Sequence, residues 1–184
     1  MEIMHELLII IGLGALGFIG RKMGWQLGKN GIKTLKTFHH VAVACWLGGA
    51  IVMVLLLARN EVVVSDGMLL GINTAIDMIH HWIVPWGAIG VLVTGLIYAL
   101  FTPWGFFKHR WLTCKWVLTL ACIISAVFEQ DLLSISQALG NAALTDSNYL
   151  AMRSKQLLLG YTQIFFLLFM VAISVFQPWR KKDK

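Results

Sequence analysis

Charged residues are scarce in this sequence. They make up 13% of its 184 residues, whereas hydrophobic residues make up 58%. Soluble domains carry about 25% charged residues. The apolar residues also fall in blocks of about 20, the length that a helix needs to cross a bilayer. These features exclude an ordinary soluble domain and predict an all-α, polytopic membrane protein.

Cysteine is also rare, and no Cys-x-x-Cys pair occurs among Cys45, Cys114 and Cys122. The three cysteines therefore do not form a disulfide framework, and they are interpreted as small buried apolar residues. The sequence contains no P-loop, and no serine or cysteine nucleophile has a recognisable base partner. A Gly-x-Gly-x-x-Gly match over 12–17 follows no strand, so it is more typical of a close helix contact. Hydrolase and dinucleotide chemistry are not indicated.

The hydrophobic blocks predict five transmembrane helices in a single membrane domain, 1–184. Pro85 lies inside the third helix, where it is expected to cause a kink. A basic loop is predicted over 21–36 and a short re-entrant or amphipathic piece over 68–76. The longest extramembrane stretch is predicted over 129–155. The predicted spans are about 3–20, 37–58, 79–101, 111–128 and 156–176.

Basic residues are unevenly distributed between the two sides that five spans define. Most lysines and arginines fall in the loop 21–36, the loop 102–110 and the C-terminal tail, whereas every acidic residue except Asp183 falls on the other side. The positive-inside rule then predicts a bacterial-type inner (plasma) membrane protein with its N-terminus outside and its C-terminus in the cytoplasm. The net charge of +6 is explained by this topology. Lipid is therefore a predicted partner, and nucleic acid is not.

Several ionisable side chains cluster at the cytoplasmic end of the predicted bundle. Lys36, His39 and Trp46 share one face of the second span because they recur at helical spacing. Ionisable groups at the edge of a membrane helix are costly unless they line a protein interior or a bound group. We therefore regard this face as the first candidate site. The candidate residues at this end are Lys36, His39, His40, Trp46, His109 and Lys115.

A second set of candidates lies at the outer end, where His80 and His81 begin the third span near His5 and Asp77. One metal centre cannot collect both sets across a hydrocarbon core of about 30 Å. Neighbouring histidines on a helix point about 100° apart, so each pair is expected to supply at most one ligand to a given site. The carboxylate of Asp77 is placed to orient either His80 or His81.

The histidines allow several kinds of centre. Histidines on facing helices are the usual protein ligands of haem b in membranes. Copper also accepts imidazole, with Met53 or Cys45 as soft companions. Membrane histidines and lysines also extend to the interface without binding anything. The candidate metal ligands are His5, His39, His81 and His109.

Three short motifs carry a family resemblance. Lys36-x-x-His39 followed by Trp46-x-Gly48-Gly49 resembles the opening helix of the HemJ-type protoporphyrinogen oxidases. The related CopD-like copper-resistance membrane proteins share its His…Trp-x-Gly-Gly part. The similarity continues with Pro85 and Thr94-Gly95, and then with Trp111-x-x-x-Lys115. It covers about 140 residues, from Lys36 to the last span.

The resemblance implies a four-helix-bundle core that binds haem b, with His39 as axial ligand. Lys115 is implied as a functional partner, with Lys36 as a second candidate catalytic lysine. It also implies redox chemistry on a porphyrin or a quinone, with a redox partner protein. Trp46, His40, His80 and His81 are further candidate cofactor contacts, and the outer pair makes a second haem conceivable. The alternatives are a CopD-like copper-handling protein and a cofactor-free membrane partner subunit.

Overall fold

The computed structural model describes residue 24 and residues 26–59, 66–102, 105–126 and 131–177. Within these ranges all the regular structure is helical, which confirms the predicted all-α class. The first predicted span lies outside the described residues. The elements are α1 (Lys29–Arg59), α2 (Asp66–Met78), a π-helical segment (Ile79–Ile83), α3 (Val84–Phe101), α4 (Arg110–Ala126), α5 (Leu132–Leu139), a 3₁₀ segment (Gly140–Thr145) and α6 (Ser147–Phe176).

Three helical stretches in the described ranges are long and apolar enough to cross a membrane. They are Lys29–Arg59, Gly67–Phe101 and Ser147–Phe176. These stretches contain the second, third and fifth predicted spans, and they support a multi-pass membrane protein. The fourth predicted span forms α4, which has 17 residues. Since a spanning helix needs about 20 residues, membrane crossing by α4 stays a prediction.

The predicted basic loop is wrong from Lys29 onward, and helices also continue beyond the apolar blocks at two other places. The predicted basic loop is helical from Lys29, and the predicted separate piece over 68–76 belongs to one continuous helical run that ends at Phe101. The predicted extramembrane stretch contains α5 and the start of α6. Asp146 caps α6 by accepting the backbone N–H of Tyr149 at 2.8 Å. Hydrophobicity marks the lipid-facing part of a helix, whereas capping groups decide where the helix begins.

The disturbance expected at Pro85 is a π-helical segment that immediately precedes it. Pro85 stands in the first turn of α3, and the backbone N–H of Val84 donates to the carbonyl of Ile79, five residues earlier. Proline lacks an N–H, and its ring collides with the carbonyl four residues before it. A wider turn makes room for the ring at that point. The same turn carries His80 and His81, and π-segments often occur at functional sites.

Helices α1 and α3 pack closely in antiparallel orientation through small residues. A Cβ atom at Gly87 would lie 2.6 Å from the backbone nitrogen of Trp46, and one at Gly90 would lie 2.8 Å from the Cβ of Ala42. Such small residues let membrane helices approach closely. The facing positions are His39 with Thr94, Ala42 with Gly90, Trp46 with Gly87, and Gly49 with Val84.

Two buried polar contacts attach α6 to the rest of the bundle. Arg153 is buried, and its Nε donates to the carbonyl of Leu57 at 3.0 Å. This carbonyl lies in the last turn of α1, where backbone acceptors lack intrahelical partners and a cation is favoured. Asn73 Nδ2 donates to the hydroxyl of Tyr149 at 3.1 Å, and both side chains are buried. These polar groups are thus satisfied by contacts between helices.

We expect Gly87→Ala to destabilise the protein by about 1–3 kcal/mol, since the added methyl group overpacks a rigid backbone contact. Gly48→Ala is the matched control, because a Cβ there would meet no atom within 4 Å. Thermal unfolding of both variants in detergent, followed by circular dichroism, measures the difference. Equal midpoints for the two variants would contradict the close α1–α3 contact.

Candidate functional site

The first candidate site lies where α1 faces α3, and His39 is its central side chain. His39 Nδ1 lies 2.7 Å from the hydroxyl oxygen of Thr94. The Thr94 hydroxyl also lies within hydrogen-bond distance of the carbonyls of Gly90 and Val91 in its own helix. The close α1–α3 packing brings this threonine to the histidine.

The hydrogen bonds of Thr94 define the tautomer of His39. A threonine hydroxyl has a single hydrogen to donate. Because Thr94 directs it to its own helix, its oxygen acts as the acceptor towards His39. This pattern favours the tautomer with the hydrogen on Nδ1 of His39 and the lone pair on Nε2. A histidine held through one ring nitrogen in this way has the other available to ligate a metal or accept a proton.

Aromatic rings surround His39. The Tyr98 ring is one turn further along α3, with its centroid 6.1 Å from that of His39 and an interplanar angle of 89°. The Tyr98 hydroxyl donates to the carbonyl of Ile32 in α1 at 3.4 Å. The ring of His40 lies 6.5 Å from that of His39, but His40 is exposed and its Nδ1 lies 2.7 Å from the carbonyl of Lys36. His39 is therefore the member of the inner pair that faces the bundle, as its shared face with Trp46 predicted.

Helix α4 contributes a cation to this end of the bundle. Lys115 lies close enough to His39 for its charge to act on the ring. Its Nζ lies 5.8 Å from the ring centroid of Trp111, a cation–π contact between residues one turn apart. The ring of His109 stacks on Trp111 at 6.1 Å. The Trp111-x-x-x-Lys115 motif thus positions a positive charge beside the imidazole.

Two indole N–H groups near this site are buried and have no hydrogen-bond acceptor among the described residues. They belong to Trp46 and Trp116. Trp46 is 1% exposed, and its backbone packs on Gly87. Trp116 follows Lys115 in sequence, and its ring lies 3.7 Å from the position of a Cβ on Gly95. A buried donor without an acceptor is costly, so this region suits a ligand that brings acceptor atoms.

Lys36 does not bond through its side chain to the other candidate residues at the predicted cytoplasmic end. Its side chain is exposed, with no hydrogen bond or ion pair to another described residue, although its backbone carbonyl accepts from His40. Lys36 extends from the first turns of α1, consistent with a lysine that reaches the interface.

The second candidate site is a cavity of about 260 Å³ at the other end of the bundle. Thr94 and His80 belong to the same helical run, about 20 Å apart at 1.5 Å per residue, so the two sites are separate. The polar residues that line the cavity come from α2, the π-segment, the start of α5 and α6. They are Asn73, Asp77, His80, His81, Asp131 and Gln156.

The outer histidines differ in their surroundings. His81 Nδ1 lies 3.1 Å from a carboxylate oxygen of Asp77 and 3.0 Å from its backbone carbonyl, and both side chains are partly exposed. His80 is less exposed, and its ring meets that of His81 at a centroid distance of 4.8 Å. Asp77 therefore orients His81, one of the two partners that its spacing allowed.

Within the described ranges, no three His, Cys, Asp or Glu side chains lie close enough together to hold a metal ion. His5 lies outside these ranges, so its predicted role as a ligand stays a prediction.

The cysteines were interpreted as small buried residues. Cys122 is buried, whereas Cys45 is exposed.

Comparison with protein-family models, curated proteins and solved structures gave no match for this chain. The resemblance to HemJ-type and CopD-like proteins therefore stays a prediction that rests on the three motifs.

Sequence reasoning assigned no role to Thr94, Tyr98, Asn73 or Gln156. Each is a polar residue within or beside an apolar helix. Such residues need a partner in a membrane, so this pattern could have identified them from the sequence. Thr94 did appear in the family motif, but its partner could be found only by pairing α3 with α1.

We expect nitrogen NMR of histidine-labelled protein to show His39 as the Nδ1–H tautomer. Thr94→Val removes the acceptor and is expected to abolish this preference, because valine keeps the shape but not the oxygen. Thr74→Val is the control, since the exposed Thr74 hydroxyl donates to Leu70 of its own helix. A hydrogen on Nε2 of His39 in the unmodified protein would contradict the assignment.

Proposed function

We propose that this protein is an integral membrane haem-b-binding protein with an oxidoreductase or electron-transfer role, in which His39 is an axial ligand. The observation that carries the proposal is the bonding of His39 Nδ1 to Thr94. It leaves the lone pair of Nε2 for iron, the arrangement typical of metal-binding histidines. The resemblance to HemJ-type proteins supports the same residue.

The hydrogen-bond donors at this end of the bundle suit the propionate groups of a haem. A haem carries two propionate groups, and carboxylates form their strongest contacts with cations and N–H donors. Lys115 supplies a cation near His39, held by the face of Trp111. The buried indole N–H of Trp116, whose ring packs near Gly95, adds a donor at this end of the bundle. These residues fit an anionic, aromatic ligand better than they fit a bare metal ion.

When bound, a haem supplies one-electron chemistry, and the protein supplies ligation, orientation and charge. In this chain His39 holds the ligating nitrogen, Thr94 fixes the orientation of the ring, and Lys115 places a positive charge nearby. The substrate or electron partner in this proposal is a porphyrin or a quinone. The proposed location is the bacterial-type inner membrane, with the N-terminus outside and the inner site at the cytoplasmic end, supported by the distribution of basic residues.

We expect the purified protein to show a Soret band, with sharp α and β bands after dithionite reduction. His39→Ala is expected to abolish these bands by removing the ligand. His40→Ala is the matched control, because His40 is the neighbouring imidazole but is exposed and bonded to its own helix. A featureless spectrum, also after added haem, would contradict the proposal. Stoichiometric copper that is lost in His39→Ala would favour the copper alternative.

We expect Lys115→Met to lower the midpoint potential of the haem by tens of millivolts. A nearby positive charge stabilises the reduced form more strongly in a low-dielectric interior than in water. Lys36→Met is the control, since an exposed charge is screened by solvent and salt. A spectroscopic redox titration of both variants measures the two shifts. Equal shifts would contradict the assignment of Lys115 to the site.

A further inference from the structure

The outer cavity contains hydrogen-bond acceptors that the fold does not use. Gln156 lines this cavity and is 6% exposed, and its Oε1 has no hydrogen-bond donor among the described residues. A buried acceptor without a donor is destabilising. A ligand that brings a donor would remove this cost.

Asp131 provides a second acceptor with spare capacity. One of its carboxylate oxygens caps α5 by accepting the backbone N–H of Ser134 at 3.0 Å. Its other carboxylate oxygen has no bonded partner among the described residues. An ionised carboxylate accepts several hydrogen bonds, so Asp131 is able to bind a donor while it continues to cap the helix.

The lining contains two carboxylates. Asp77 and Asp131 both line the cavity, and no lysine or arginine is found among the described residues that line it. Asp77 also contacts His81 at the rim, where that pair is partly exposed. Clefts lined by one sign of charge concentrate ions of the opposite sign. The lining therefore favours a cation that carries N–H donors.

The cavity limits the size of such a ligand. Its volume of about 260 Å³ lies below the roughly 300–1,000 Å³ of pockets that hold drug-sized molecules. The apolar side chains of Leu132 and Leu133, which also line it, suit a short aliphatic chain.

We propose that the outer cavity binds a small protonated aliphatic amine, with its N–H groups donating to Asp131 and to Oε1 of Gln156. This site is separate from the proposed haem site, and the proposal does not depend on the haem. The carboxylate of Asp77 adds a second negative charge, which favours a diamine over a monoamine of the same length.

The test is calorimetric titration of the detergent-purified, full-length protein with putrescine at low salt. We expect saturable binding that weakens as salt is added, because salt screens the two carboxylates. Butanediol has the same chain length without charge and is expected not to bind. Equal binding of butanediol, or no binding of putrescine, would overturn the proposal.

Two aspartates provide a matched pair of variants. Asp131 and Asp146 both cap helices through the same kind of bond, at 3.0 and 2.8 Å. Asparagine caps helices as well as aspartate does, so Asp131→Asn and Asp146→Asn are both expected to fold. Asp131→Asn is expected to weaken putrescine binding by about tenfold or more, because a hydrogen bond to a charged acceptor is lost. Asp146→Asn is expected to leave it unchanged, because Asp146 does not line the cavity.

Gln156→Leu tests the buried acceptor separately. It keeps approximate size and removes the oxygen, so putrescine binding is expected to weaken while the thermal midpoint stays equal or rises. Unchanged binding in Asp131→Asn, or equal losses in Asp131→Asn and Asp146→Asn, would show that the cavity is not the site.

Discussion

The close approach of α1 and α3 is the contact on which the candidate haem site depends. Gly87 and Gly90 allow the backbone of α3 to reach Trp46 and Ala42 without intervening side chains. Because the helices are antiparallel and in fixed register, Thr94 meets His39 two turns away from the Trp46 contact. Small residues therefore determine which hydroxyl orients the imidazole, although they make no polar contact themselves.

Each end of the bundle concentrates polar groups that an apolar environment would otherwise penalise. At one end the polar groups of His39, Thr94 and Lys115 meet, and at the other end Asp131 and Gln156 border a cavity. Between the two ends, helices are held by apolar packing. Ionisable groups within membrane helices, such as His39 and Lys115, are usually functional, because their cost has to be offset by a partner or a ligand. Separate polar ends are compatible with a protein that handles a redox group on one side and a small cation on the other.

The π-segment before Pro85 connects the fold to the outer cavity. Proline prevents a regular helix at this point, and the wide turn that results presents His80 and His81 at the cavity. The helical run remains continuous on both sides, so α2 adds Asn73 and Asp77 to the same lining. A single residue that disturbs the hydrogen-bond pattern thus contributes to the shape of a candidate site.

The sequence by itself determined the helical class and the membrane character, because hydropathy and helical spacing are local properties. The sequence also assigned His39 and His80 to opposite ends of the predicted bundle, because the number of residues in a span sets the distance between its ends. It did not determine that α1 begins at Lys29 or that α6 begins at Ser147. Those ends depend on capping and packing more than on hydrophobicity.

Only the tertiary structure decided which polar residues meet. Thr94 and His39 are distant in sequence, and no periodicity links the two. The same is true of the cavity residues Asp77, Asp131 and Gln156. The register of α1 against α3, to which the steric fit of Gly87 against Trp46 contributes, brings Thr94 to His39, and the packing of α2, α5 and α6 brings the other three residues together. Lys36 and Lys115 were both predicted as candidate catalytic lysines at the same end of the bundle. The structure exposes the first and brings the second within electrostatic range of His39, because side-chain environment is set by the neighbouring helix.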